Sequence, residues 1–181
     1  MIIKRALFDK LLSQISKSQI SIIIGPRQAG KSTLLLELQK KVNGPSIIFN
    51  FENPLHLRIL RDGYNSFINE IGEDKKVVFI DEFHYYKNIT SVFKAVFDLN
   101  PQIKIYATGS SSLEIHKHLQ ESLAGRKFET RLYPLSFSEW LLTKDTEIPA
   151  PESPLKIITH EKLKGYLKEF LKFGTMPGLF I

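Results

Sequence analysis

Short, unbroken apolar runs alternate along the chain with longer stretches in which apolar positions recur every three or four residues. The runs at Ile20 to Ile24, Ser46 to Phe51, Lys76 to Asp81, Ile103 to Thr108 and Phe128 to Tyr133 predict five strands. Helical spacing predicts helices over Lys31 to Lys41, through Leu34, Leu35, Leu36 and Leu38, and over Ile89 to Asp98 and Ser112 to Leu123. A weaker helical pattern covers Leu55 to Ile71, and residues 4 to 18 place Leu7, Leu11, Leu12 and Ile15 on one face of an amphipathic helix that precedes the first strand. Strands alternating with helices predict an α/β fold with a parallel sheet covered on both faces.

The pattern changes after the fifth strand. Ser136-Phe137-Ser138-Glu139 matches a capping box that opens a short helix through Trp140 and Leu142. Asp145 to Pro154 is rich in proline and polar residues and predicts a linker or lid hinge. An amphipathic helix follows from Thr159 to Phe173. The expected division is an α/β core over residues 1–144, a hinge over 145–158, and the start of a helical lid or C-terminal region over 159–181.

Composition narrows the chemistry. With 181 residues, 43% of them hydrophobic, the chain can bury one substantial core. Cysteine is absent, which excludes disulfide scaffolds, thiolate metal sites and cysteine nucleophiles and fits a reducing cytoplasm. The N-terminus shows no secretory pattern, and the longest apolar runs are far too short to cross a bilayer. A formal charge of +6 favours anionic partners, although a solvated surface also explains it. Lys162, Lys164, Lys168 and Lys172 could likewise touch DNA or simply cover an exposed helix face.

Four motifs carry candidate chemistry. Gly25-Pro26-Arg27-Gln28-Ala29-Gly30-Lys31-Ser32, followed by Thr33, sits between the first strand and a Leu-rich helix and has the spacing of a phosphate-binding loop. Gly25 and Gly30 free the backbone so that successive N–H groups can face phosphate oxygens. Lys31 adds charge, the helix N-terminus adds its dipole, and the Ser32 hydroxyl can ligate Mg²⁺. The predicted ligand is a nucleoside triphosphate, ATP with Mg²⁺, in a P-loop three-layer sandwich. Asp81 and Glu82 end the third strand, where Asp81 can hold Mg²⁺ and Glu82 can activate the attacking water. A plain strand exit into solvent is the competing explanation for that pair.

The fourth strand ends in Thr108-Gly109-Ser110-Ser111-Ser112, near the expected γ-phosphate, so Thr108 is a candidate sensor and Ser111 or Ser112 a helix cap. Arg126 is a candidate arginine finger acting in the same or a neighbouring subunit, the latter requiring a homo-oligomer. Surface arginines are commoner than fingers. His56, His84, His116, His118 and His160 form no ligand spacing.

Together with Leu123-Ala124-Gly125-Arg126 and Tyr133-Pro134-Leu135-Ser136-Phe137-Ser138-Glu139, these motifs resemble the AAA-type predicted ATPases of bacteria and archaea, from about Lys4 to Gly178. The resemblance implies a sheet with an additional strand between the loop strand and the Asp-Glu strand, in the order 5-1-4-3-2. It also implies roles for Thr108 as sensor and Arg126 as γ-phosphate contact. Proteins of this kind continue into a winged-helix and nuclease-like domain beyond Gly178, so the expected biological output lies outside the 181 residues. The expected activity is ATP hydrolysis. The alternative is a nucleotide-dependent switch with little turnover, acting on DNA or a protein partner, and a small-molecule kinase fits the Asp-Glu pair less well.

Overall fold

The first, third and fourth apolar runs are flanked by residues that let them lie wholly inside. In the computed structural model, which describes residues 3–74, 76–110, 122–144, 157–173 and 175, they form β1 (Ile20–Gly25), β3 (Val77–Asp81) and β4 (Lys104–Ser110). Nearly every residue of these strands is buried, as expected of parallel strands covered on both faces. β2 (Ser46–Asn50) and β5 (Lys127–Arg131) are only partly buried and take the two edges. All pairings are parallel, and the order β2-β3-β4-β1-β5 is the expected one read from the other edge.

Alternate residues of each strand sort into two layers. Ile20, Ile22 and Ile24 of β1, with Val78, Ile80, Ile105 and Ala107, pack beneath α4 (Tyr64–Ile71) and α5 (Ile89–Leu99), where Phe67, Ile68, Phe93 and Val96 are buried. Ile23, Val77, Phe79 and Tyr106 face α1 (Phe8–Leu12) and α2 (Lys31–Gln39), which contribute Leu11, Leu34, Leu35 and Leu38. Phe79 and Tyr106 stack at 5.3 Å between centroids, and the Tyr106 hydroxyl donates to the Leu11 carbonyl at 2.7 Å.

Local chemistry explains the departures from the sequence pattern. The helix expected over residues 4 to 18 is regular only over Phe8–Leu12. Ser13 Oγ donates back to the Lys10 carbonyl at 2.8 Å, and Gln14 Oε1 accepts from Ser21 at 2.6 Å, so side chains compete with the helical ladder and bend the chain into turns. The weak pattern after β2 divides into α3 (Pro54–Leu57), capped by the Asn53 side chain, a 3₁₀ turn at Arg58–Leu60, and α4 starting after Gly63.

The expected capping box opens α6 (Phe137–Leu141), with both reciprocal Ser136–Glu139 contacts formed. The C-terminal helix α7 spans Ile157–Phe173 and buries Phe170 against Trp140. Residues 112–121 of the expected fourth-strand helix, the serines Ser111 and Ser112, and the hinge at Asp145 to Pro154 lie outside the described residues. Among the described residues, no helix is long and apolar enough to cross a membrane.

Candidate active site

Gly25 closes β1 where the backbone of the neighbouring segment comes very near: a Cβ there would stand 2.3 Å from the Leu132 carbonyl oxygen. Leu132 N–H in turn donates to the Ile24 carbonyl at 2.8 Å, which fixes that approach. The chain then turns through Gln28, at φ 63°, and Gly30, at φ 89°, before α2 begins. Gly30 is the N-cap and offers no side chain, so the first amides of α2 have no side-chain cap. Lys31 folds back into the loop, where its Nζ donates to the Gly25 carbonyl at 3.2 Å and the Pro26 carbonyl at 3.1 Å. The result is a basic cradle at the C-terminal edge of a parallel sheet, where such sheets bind ligands.

Sheet register brings the acidic pair to the same edge. Ala107 of β4 pairs with Ile22 on one side and Ile80 on the other, so Asp81, Thr108 and Ile23 lie level. Two strand spacings, about 10 Å, separate β3 from β1. Thr108 is fully buried; its hydroxyl donates to Asp81 Oδ1 and accepts the Glu82 N–H at 3.3 Å. Glu82 takes a left-handed backbone, φ 54° and ψ 49°, a conformation that costs a non-glycine residue about 1–3 kcal/mol and clusters at functional sites. Its carboxylate stands 3.6 Å from Lys31 Nζ.

Lys31 and Glu82 wall a cleft of about 460 Å³ together with Arg27, Gln28, Gly30, Ser32 and Thr33, and Asp81 and Thr108 lie buried behind Glu82. Ser32 and Thr33 are exposed at the start of α2. The hydroxyl of Ser32 and the carboxylate of Asp81 are hard oxygen donors of the kind Mg²⁺ takes, and two such ligands leave its remaining positions to phosphate and water.

Comparison with known proteins identifies the family. Residues 17–141 match the family AAA_14, described as an AAA domain. The chain belongs to this AAA family. An uncharacterized protein of Methanocaldococcus jannaschii, MJ1544, is 30% identical over 90% of the chain, and one of Haemophilus influenzae is 28% identical over 89%. The chain spans 36% and 44% of the lengths of these relatives. Among solved structures, the Walker-type ATPase PABY2304 of Pyrococcus abyssi superposes with a TM-score of 0.61 at 16% identity, over 98% of this chain and 65% of that one. PCH-2 of C. elegans does so with a TM-score of 0.51 at 14% identity, over 92% and 58%. Those two likenesses concern the fold. Family membership makes this a P-loop ATPase domain and implies nucleotide binding.

Of the residues expected in the site of this AAA domain, Gly25, Pro26, Ala29, Asp81 and Thr108 do not themselves line the cleft, and Arg126 stays well apart from it. Arg126 precedes β5, and its carbonyl accepts from the N–H of Ile20, the first residue of β1, at 2.9 Å. It therefore lies at the opposite edge of the sheet, about a strand length or ~17 Å from the loop. Its guanidinium pairs with Asp98 at 2.9 and 3.2 Å and covers Phe97, and the Asp98 hydrogen bond raises its pKa further. A finger acting on the same chain's loop does not follow from this placement.

Three cleft residues carried no sequence signal. Glu52, just beyond β2, sat in what reads as a polar turn, while His84 and Tyr85 follow the acidic pair on a 3₁₀ turn. His84 Nδ1 is 3.2 Å from Glu82 Oε2 but outside hydrogen-bond geometry, so this buried atom has no hydrogen-bond partner among the described residues. Burial lowers the His84 pKa; Lys31 and Arg27 reinforce the shift and Glu82 opposes it, leaving a neutral imidazole at pH 7. Glu52 is brought to the cleft by the pairing of β2 with β3, which sets Asn50 level with Asp81, whereas His84 and Tyr85 arrive by directly following Glu82.

On α7 the lysines are exposed, and Lys164 pairs with Glu161 at 3.2 Å while Lys162 lies over the Tyr166 ring at 5.7 Å. Those contacts suit a solvated helix face.

Proposed function

We propose that this chain binds ATP with Mg²⁺ on the 25–32 loop and hydrolyses it. The observation that carries this is the meeting of Lys31, Glu82, Asp81 and Thr108 at one end of the sheet, next to uncapped amides of α2. An anion entering the loop would draw on those amides, and Lys31 would exchange the Gly25 and Pro26 carbonyls for phosphate oxygens. Mg²⁺, held by Ser32 and Asp81, would neutralise charge developing on the phosphates. Thr108 fixes the Asp81 carboxylate, and Glu82 is placed to orient and deprotonate the attacking water. Once Lys31 turns to phosphate, Glu82 loses its cationic neighbour and becomes available as that base.

The test is phosphate release by the purified chain, by Lys31→Ala and by Glu82→Gln, alongside nucleotide binding with Mg²⁺. The expected result is binding and turnover in the wild type, loss of both in Lys31→Ala, and binding with turnover reduced by about 100-fold or more in Glu82→Gln. Tight binding with no wild-type turnover would favour the alternative, a nucleotide-dependent switch. That alternative draws on the share of the relatives' length that the chain spans, since output would then lie in another region or a partner. No binding at all would sink both.

A further inference from the structure

Arg5 has 7% of its surface exposed, yet it serves three acceptors in two separate segments. Its Nη1 donates to the Ala29 carbonyl at 2.6 Å, its Nη2 to the Tyr133 carbonyl at 2.6 Å, and its Nε to Glu139 Oε1 at 3.0 Å. Glu139 is equally enclosed and equally occupied. Its Oε1 also accepts from the Ala6 N–H at 2.8 Å, and its Oε2 from the Ser136 N–H at 2.9 Å. Burial works to raise the Glu139 pKa, but the Ser136 and Ala6 amides and Arg5 together hold it below the ordinary carboxylate value. Both members are thus charged and hydrogen-bonded, the condition under which losing one partner is most costly.

Ala29 lies inside the phosphate loop, one residue before Gly30. The peptide joining them is trans and planar, so its N–H points opposite to its C=O. Arg5 draws the Ala29 carbonyl to one side, which turns the Gly30 N–H to the other. Gly30 and Lys31 line the cleft, while Ala29 and Arg5 do not.

We propose that Arg5, held in place by Glu139, is a positioning residue for the phosphate loop, fixing the Ala29–Gly30 peptide with its N–H turned toward an incoming phosphate. The proposal rests on the nucleotide reading of the cleft. It gives the Tyr133 to Glu139 segment a task beyond capping α6: that segment supplies both the carboxylate that holds Arg5 and a carbonyl that shares it. It also accounts for a buried arginine ahead of the first strand, where helix formation alone would not call for one.

Arg5→Lys and Glu139→Gln in the 181-residue chain test this. Lysine keeps the charge but concentrates its donors on one nitrogen at the end of a flexible stem, which cannot span the acceptors that Nε, Nη1 and Nη2 reach separately. Four quantities are read: affinity for a fluorescent ATP analogue, KM against kcat, the melting temperature, and the ¹⁵N–¹H signal of Gly30 in nucleotide-free protein. Both variants are expected to weaken binding by about tenfold or more, raise KM more than they change kcat, and shift the Gly30 signal. The double variant should bind no worse than the weaker single one, because the two residues act as a unit.

Phe67→Leu, in the core on the other face of the sheet, serves as the destabilised control and should leave affinity within about twofold. If Arg5→Lys and Glu139→Gln lower the melting temperature but bind nucleotide as tightly as this control, or if the Gly30 signal does not move, the proposal is overturned. Should Arg5→Lys fail to fold, Glu139→Gln, nearly isosteric, decides alone. Wild type that binds no nucleotide overturns the ATPase reading along with the proposal, whereas normal binding by the variants overturns the proposal only.

Discussion

The Thr108 hydroxyl joins the two acidic residues at the end of β3: it donates to Asp81 Oδ1 and accepts the backbone N–H of Glu82 at 3.3 Å. One fully buried oxygen on β4 therefore sets both the carboxylate rotamer at the end of β3 and the left-handed turn that follows it.

Thr108→Val keeps the shape and removes the hydroxyl, leaving the buried Asp81 carboxylate without that donor. Stability should fall by about 1–3 kcal/mol, and phosphate release should fall by roughly tenfold or more. Thr108→Ser should recover most of both. Urea denaturation and a phosphate-release assay on the same preparations check this, and unchanged turnover in Thr108→Val would remove Thr108 from the site.

Gly25→Ala and Gly109→Ala separate a rigid obstacle from a movable one. At Gly25 the new Cβ meets the Leu132 backbone oxygen at 2.3 Å, and Leu132, directly after β5 and bonded to the Ile24 carbonyl, cannot retreat without pulling on the β1–β5 ladder. At Gly109 it meets the Phe83 ring at 2.7 Å, a side chain next to Glu82. Gly25→Ala should cost more than ~3 kcal/mol or abolish soluble expression, while Gly109→Ala should cost ~1–3 kcal/mol and slow turnover through Glu82. Melting curves showing equal costs would contradict the distinction.

Lys104 supplies a pH dependence. Its Nζ donates to the Gln19 carbonyl at 2.5 Å and Ser21 Oγ at 2.8 Å beneath the Tyr106 and Phe128 rings, and burial pushes its pKa from 10.5 down to about 7. Between those two values the unfolded chain holds a proton that the folded chain has released, so this group's contribution to stability rises with pH through that window. It is absent below about pH 7 and complete above 10.5. Lys104→Met should flatten the slope, with a difference of ~2–4 kcal/mol accumulated across the window. Parallel slopes for wild type and variant by urea denaturation at several pH values would refute it.

Phe170→Ala should release α7 while sparing the core. Phe170 packs within 5.6 Å of the Trp140 ring centre and 5.5 Å of Phe137, and the cluster they form is separate from the two cores flanking the sheet. A helix of this length is marginal in water without packing, and losing a buried Phe costs about 3–5 kcal/mol. Amide exchange should accelerate over residues 157–173 with β1, β3 and β4 unchanged; global loss of protection would show that α7 is integral to the core.

Much of the site was legible because its signals are local. Gly25 to Ser32 is contiguous, Asp81-Glu82 ends an apolar run, and Ser136 with Glu139 closes a box within one turn. Arg126 shows where local signals end. Its position before a strand was readable, but which edge of the sheet that is depends on β5 running parallel beside β1, and that places it against Asp98 rather than at the loop. Glu52 was silent for the same reason, because only the β2–β3 pairing brings it to the cleft.

By itself the sequence determined the strands, the loop and the Ser136 capping box, because each follows from periodicity or steric need among residues a few positions apart. Strand order was available only through resemblance. Tertiary structure alone decided that Thr108 reaches Asp81 across 27 residues and that Arg5 reaches Glu139 across 134. Neither pairing has a period or spacing to betray it, since a buried polar group is satisfied by whichever partner the packed sheet and its flanking segments bring within hydrogen-bond reach.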